Sequence, residues 1–361
     1  MQFEVLANAG APAVVRNRPD AADFLPVIHF YYPPGAADTV VPESVGVFKY
    51  RPGDYVWTVK TYGFLSRSGF PCRLTDQLPD EGIVVAHRKF FARGMVPNRR
   101  QLFVCVVADY WRHPFAQLHL VQNPRDPLLI RGARAWPAAF MPHWPETGLI
   151  RRDPARGEAF ENVAYFGLPE RLAPQLRSAE FAARLRAHGF RFRIVGRDAW
   201  NDYGDTDAVL AVRSYAASSF HKYPPTKLYN SWLAGVPALL GRESAYRAAR
   251  RNEYDYFEVR STDEIIRTLI RLRDHPDLRA AVSRNCAQRA AEVNPERITE
   301  SWVAFLTMAA VPAYQDWRRR SFARRGVFLV ARSGRYAGWV CVDFLTRAVN
   351  RIRRLARDLE R

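Results

Sequence analysis

Two of the chain's five lysines, Lys222 and Lys227, stand five residues apart in HKYPPTKLYNSWLAGVPALL (221–240), while the other 49 basic residues are all arginine. Pro224 and Pro225 stop a loop, Thr226 is a natural N-cap, and Lys227 falls in the first turn of the helix that should follow. A helix N-terminus has unpaired N–H groups and a partial positive charge, so it attracts anions and disfavours a cation. A lysine kept there against the dipole implies a bound anion, and a diphosphate is the natural candidate. Lys222 from the loop and Arg213 from the preceding segment would converge on it. The plain alternative is a capped helix whose lysines are solvated.

Other candidates sit where short apolar runs end. NVAYF ends at Gly167, FRIV at Gly196 and Arg197, AVLAV at Arg213, and PALL at Gly241, Arg242 and Glu243. In open α/β sheets ligands bind at the carboxyl ends of the strands, where glycine admits a ligand to the backbone and arginine makes the crevice positive. Each arginine alone could equally be an ordinary surface residue. In the first half, His87 follows GIVVA and Asp109 follows LFVCVVA. Either could serve as general base on an acceptor hydroxyl, or could be a buried hydrogen-bonded histidine and a helix-capping aspartate. His113 and His119 read as packing residues.

Asp205, Thr206 and Asp207 have the D-x-D spacing of a metal site, but they precede AVLAVR, at the wrong end of the sheet. They read as a turn, and neither a metal nor an organic cofactor is expected. Four widely spaced cysteines fit neither a disulfide framework nor a zinc site. There is no nucleophile elbow, P-loop or H-E-x-x-H pattern.

These residues need elements to hold them. A chain of 361 residues suggests two domains, and 48% hydrophobic residues with 13% aromatics exclude a mainly disordered chain. Runs at 3–8, 26–32, 82–87, 102–109 and 118–123 read as buried strands, with a helix over 54–67. The proline-rich stretch 123–153 suits an irregular connection. Beyond it, strands are predicted at 162–167, 190–196, 208–213 and 237–241. Helices are predicted at 173–188, 226–234, 244–251, 262–273, 277–293 and 295–308. Strand–helix alternation of this kind predicts doubly wound parallel sheets. The divisions drawn are 1–155, 156–310 and a tail, 311–361.

From about residue 161 to 306 the chain resembles the donor half of GT-B glycosyltransferases, in the group called family 4-like. The resemblance rests on the strand-end basic residue, the proline-containing loop, the helix and AGVPALLGRESAY, together with the ending STDEIIRTLIRLRDHPDLRAAVSRN. It implies an α/β fold of two Rossmann-like domains facing a cleft, an N-terminal one for the acceptor and a C-terminal one for a nucleotide sugar. The implied reaction displaces the nucleotide from the anomeric carbon without a metal. Charge on the departing phosphate would be met by Arg213, Lys222, Thr226 and Lys227. The family's paired glutamates fall here at Lys222 and Asn230, so Asn230 or Glu243 would hold the ribose. A glycan or lipid-linked acceptor is implied.

The net charge is +18, and residues 311–361 carry half of it, with 13 arginines against four acids. Leu345, Ala348, Ile352, Leu355 and Leu359 recur at helical spacing among arginines, the pattern of a basic amphipathic helix that lies on an anionic membrane surface. The segment 327–345 is apolar but interrupted by Arg332, Arg335 and Asp343. The alternative is a C-terminal helix packed back on the first domain. With no signal peptide or membrane-spanning run, the expected location is cytoplasmic and peripheral on the inner face of the membrane. Two other classes compete. One is a nucleic-acid-binding protein, for which no groove-reading module is visible. The other is a catalytically idle scaffold of the sugar-nucleotide fold.

Overall fold

The computed structural model describes residues 26–33, 50–130, 135–216 and 220–359, so the run at 3–8 lies outside the described residues. Ile28–Tyr31 (β1), Arg73–Thr75 (β2), Gly82–His87 (β3), Gln101–Val106 (β4), Leu118–Val121 (β5) and Ala138–Phe140 (β6) form one parallel sheet in the order β2-β1-β3-β4-β5-β6. A second parallel sheet contains Asn162–Phe166 (β7), Arg191–Val195 (β8), Ala208–Ala211 (β9), Ala238–Leu240 (β10) and Phe257–Glu258 (β11), in the order β11-β10-β9-β7-β8. In each, the second strand lies outside the first and the third on its other side. The strand order therefore reverses between β1 and β3 and between β7 and β9, the switch points where such sheets bind ligands. β3, β4, β7 and β9 are buried along their whole length, which is why their sequences are continuous apolar runs rather than alternating ones.

Three expectations change. The proline-rich stretch 123–153 holds β6, an edge strand short enough for the prolines on either side, and a helical turn, Pro127–Ile130. The helix expected over 173–188 begins at Ala179, because Pro174 opens a separate tight turn and Ser178 supplies the cap to Phe181. The helix beginning at Pro295 continues past residue 308 to Arg319 and packs on the first sheet, not the second. Trp302 lies 6.0 Å from Phe30 and 6.3 Å from Trp57, and Phe305, Tyr314 and Trp317 fill the same core. Burying each such ring is worth ~1.5–3 kcal/mol, so the open face of the first sheet draws the chain back. The division at 310 falls within this helical run.

The D-x-D carboxylates are spent on arginine. Asp207 is buried at the amino end of β9, where it accepts from Arg156 at 2.8 and 2.9 Å and from Arg152 at 2.9 Å, as well as from the N–H groups of Glu161 and Asn162. Asp205 pairs with Arg156 at 2.7 Å and Arg193 at 3.3 Å. Burial alone would raise the Asp207 carboxyl, but Arg156, the two N–H groups and Arg152 hold it below the ordinary value. The stability it contributes is therefore present above pH ~4 and lost as pH falls through the depressed folded value. Asp207→Asn should lower stability at neutral pH by about 3 kcal/mol and flatten the acid side of the stability profile. Urea midpoints across a pH series check this, and a wild-type midpoint at neutral pH would contradict it.

Candidate active-site crevice

The carboxyl ends of the two sheets meet. Gln122, just past β5, donates to the Lys222 carbonyl at 2.6 Å and to Asp109 Oδ1 at 2.9 Å, while its own oxygen accepts from Trp57 Nε1 at 3.2 Å. Asn123 donates to Ser244 Oγ at 3.0 Å, at the start of the Ser244–Ala249 helix. Glu146 N–H donates to Asn230 Oδ1 at 3.2 Å where the chain passes from the first sheet to the second. The polar pair in LHLVQN thus latches the first domain to the loop and helix starts that follow β9 and β10.

At the β7/β9 switch point the structure brings together Gly167, Arg213, Lys227 and Glu243. Arg213 donates from Nε to Glu243 Oε2 at 3.2 Å, and its guanidinium lies 4.3 Å from the centre of the Tyr223 ring. Tyr223 in turn accepts from Arg171 at 2.7 Å. The Lys227 ammonium lies 5.4 Å from the centre of the Tyr165 ring and hydrogen-bonds no group among the described residues. Burial, then Arg213, push it down to about 8 against the pull of Glu243 and Glu146. Burial raises the Glu243 carboxyl in spite of Arg213 and Lys227, and its Oε1 is buried without a hydrogen-bond partner. The Thr226–Ala234 helix begins here, and Gly235 closes it in the left-handed conformation at φ 74°. The Leu228 and Tyr229 N–H groups donate to the Pro225 carbonyl at 3.0 and 3.1 Å, and those of Thr226 and Lys227 have no backbone partner among the described residues.

Other predicted residues sit elsewhere. Thr226 is the first helical residue, not the cap; Pro225 holds that position, and no side chain caps the helix. Lys222 does not join Lys227, because its ammonium lies 3.5 Å from the centre of the Trp111 ring across the domain contact. Arg197 is exposed on β8's side of the sheet, with β7 between it and Arg213, and lies 5.2 Å from the Tyr50 ring. Asn230 is buried, and its oxygen accepts from the Glu146 N–H in the crossing between the two sheets.

Across the crevice, Asp109 is exposed as a residue, but desolvation between the crevice walls raises its carboxyl against the pull of Gln122, Arg213, Arg171 and Lys222. His87 is buried, and its Nδ1 accepts from the Lys89 N–H at 3.3 Å, which leaves the proton on Nε2. Burial lowers it to about 4, so the ring is neutral and a weak base at neutral pH. Tyr165, Tyr223, Trp111 and Gln122 were not anticipated. Only Gln122 had a visible signal, a polar pair directly after a buried strand.

A cavity of about 550 Å³ lies away from the strand ends, between the two chain crossings, with Lys60, Phe64, Glu146, Arg151, Leu233 and Asn294 among its lining. At the switch point there is only a narrow void bounded by Tyr165, Arg213, Lys227, Glu243 and Tyr246. Gly167 borders that group: a Cβ there would come within 2.8 Å of the Tyr165 hydroxyl and 3.1 Å of Lys227 Cε. Gly167→Ala should displace the Tyr165 ring and cost ~1–3 kcal/mol. Thermal unfolding of the variant checks this, and an unchanged midpoint would show that the close approach is not required.

No family model matches the chain, and no curated protein is similar to it in sequence. Among solved structures it is similar to HepE from Anabaena in complex with UDP, with 12% identity over 68% of this chain and 88% of that one and a TM-score of 0.45. It is also similar to sucrose-phosphate synthase from Thermosynechococcus elongatus, with 13% identity over 73% and 82% and a TM-score of 0.43. A third is the pneumococcal O-GlcNAc transferase GtfA in complex with UDP and GlcNAc, with 12% identity over 70% and 60% and a TM-score of 0.46. The fold rests on strand order and register rather than on these likenesses. Two doubly wound parallel sheets meeting at their carboxyl ends are the architecture that the GT-B resemblance implies.

Proposed function

We propose that the chain is a glycosyltransferase that moves a sugar from a nucleotide-activated donor to a glycan or lipid-linked acceptor. The observation that carries this is the Lys227 ammonium, held without a hydrogen-bond partner among the described residues beside Arg213 and a helix N-terminus at the β7/β9 switch point. The charge of a diphosphate suits that arrangement, with two cations beside the Thr226 and Lys227 N–H groups, and its entry requires the narrow void between Tyr165 and Tyr246 to widen. As the bond between the anomeric carbon and the phosphate oxygen breaks, negative charge gathers on the departing diphosphate. Arg213, Lys227 and the helix N–H groups are already oriented to meet it, so no metal is needed. Glu243 fixes Arg213 through Nε and leaves its Nη groups to the anion.

Asp109 is the proposed base on the acceptor hydroxyl, since its carboxyl is exposed on the facing wall and oriented by Gln122. Its neighbour Gln122 also donates to the Lys222 carbonyl, which ties this wall to the loop before the Thr226–Ala234 helix. His87 shapes the wall without serving as base. The membrane-facing location, on the cytoplasmic side, is proposed from the charge of the last 51 residues, +9.

Isothermal titration with a panel of nucleoside diphosphates and nucleotide sugars tests this reading, and failure of every one to bind would overturn it. Lys227→Met should weaken diphosphate binding by about ten- to hundredfold, the worth of one charge-assisted hydrogen bond. Because Lys227 loses its proton near pH 8, affinity should decline as pH rises through that value, and binding above it should be accompanied by proton uptake. The Lys227→Met variant should lack both effects. Asp109→Asn should retain diphosphate affinity and lower turnover by ~10²–10⁴-fold. Unchanged turnover would remove Asp109 from the mechanism.

A further inference from the structure

The C-terminal helix, Phe322–Leu359, is turned inside out over its first half. Arg332 is 5% exposed, whereas Val327 and Val330 are 69% and 74% exposed. Arg332 Nη1 donates to the carbonyls of Pro114 at 3.3 Å and Ala116 at 3.4 Å, and the guanidinium lies 5.3 Å from the Trp136 ring and 4.7 Å from the Phe328 ring. Among the described residues no carboxylate pairs with it. Phe328 packs 5.0 Å from Trp317, and Arg93 lies 5.8 Å from the Tyr336 ring. The helix is therefore fastened to the first domain by its charged and aromatic side. In water, burying an arginine and exposing valines is the costlier choice.

At ~100° per residue, Val327, Val330, Ala331, Gly334, Ala337 and Cys341 fall on one outward stripe, and all are exposed. Exposed Arg324 and Arg335 run along one edge of it. The backbone continues as one helix to Leu359, and the sequence extends the same stripe through Leu345, Ala348, Ile352, Leu355 and Leu359. From Val327 to Leu359 the stripe is ~48 Å long.

We infer that this stripe lies in the surface of an anionic lipid bilayer, with Arg332 fixing the helix to the first domain and so setting the angle at which the crevice meets the membrane. The inference rests on the membrane-facing location proposed above and names the face that makes the contact. Charge decides the occupant. A second copy of the chain would bring two strongly positive segments together, and a neutral apolar partner would leave the arginines unmet. An anionic bilayer satisfies both stripe and arginines, at ~1 kcal/mol per arginine near the surface. No described helix is long and apolar enough to cross a membrane, so the helix would lie flat.

Co-sedimentation of the full chain with vesicles of pure phosphatidylcholine, and of phosphatidylcholine mixed with phosphatidylglycerol, tests this. Wild type should bind the mixed vesicles strongly and the zwitterionic ones weakly. Val327→Asp with Val330→Asp, both at exposed positions, should keep the wild-type melting temperature and weaken binding about a hundredfold. Arg353→Gln with Arg354→Gln and Arg357→Gln should reduce binding to the mixed vesicles alone. If the valine variant binds like wild type while the arginine variant does not, the stripe is overturned and the membrane-facing location stands. If wild type binds neither vesicle, both fail. A concentration-dependent dimer in sedimentation velocity, dispersed by the valine variant and without vesicle binding, would assign the stripe to a second copy and overturn the inference.

Discussion

Lys227 and Arg213 share one buried carboxylate. Two cations and the carboxylates of Glu243 and Glu146 act on one another at this buried strand switch point, and burial and repulsion between the cations both count against the charge on Lys227. The site bears this cost through several fixed arrangements. Glu243 holds Arg213 by Nε alone, Tyr223 covers the guanidinium face, and Tyr165 lies beside the ammonium. Burial, more than Arg213, brings Lys227 down to about 8.

That arrangement stays in register only because the two domains are tied at several points. Gln122 has both amide hydrogens and its oxygen engaged, linking Trp57 and Asp109 on one side to the Lys222 backbone on the other. The buried ammonium of Lys60 donates to the Pro145 carbonyl at 2.9 Å and to Thr147 Oγ1 at 2.6 Å, which anchors the outgoing crossing to the first domain. The returning crossing brings Trp302 and Trp317 into the first sheet's core. Opening the crevice must break the Gln122 bond to Lys222 while both crossings hold.

Much of the second sheet was legible because its strands are continuous apolar runs and its helices carry their own punctuation. Thr226–Ala234 matches its expected span, set by Pro225 before it and Gly235 after it. β2 and β11 were invisible: with three and two residues, they take their strand character from neighbours rather than from pattern. The site was only half legible for a related reason. Which strand ends carry arginine can be read along the chain, but strand order decides which of them are neighbours. Placing β7 between β8 and β9 removes Arg197 from the cluster and leaves Gly167 beside Arg213. Lys222 was misplaced because its partner, Trp111, comes from the other domain, a contact that no local pattern encodes.

The scarcity of lysine has a physical reading. Arginine is planar, always charged and suited to stacking or forked contacts, whereas lysine is a compact point charge whose acidity responds to burial. In a chain that otherwise uses arginine, each described lysine occupies a position with a defined contact. Lys60 reaches a buried carbonyl, Lys89 pairs with buried Asp54 at 2.7 Å, and Lys222 sits on the face of Trp111. Lys227 must fit between Tyr165 and the backbone at Gly167, where the nearest approach already excludes a single methyl group. A guanidinium could not shed its proton there. An ammonium can, and in the proposed role it would give up charge at alkaline pH and regain it against a bound dianion, a response available to lysine and not to the residue this chain uses everywhere else.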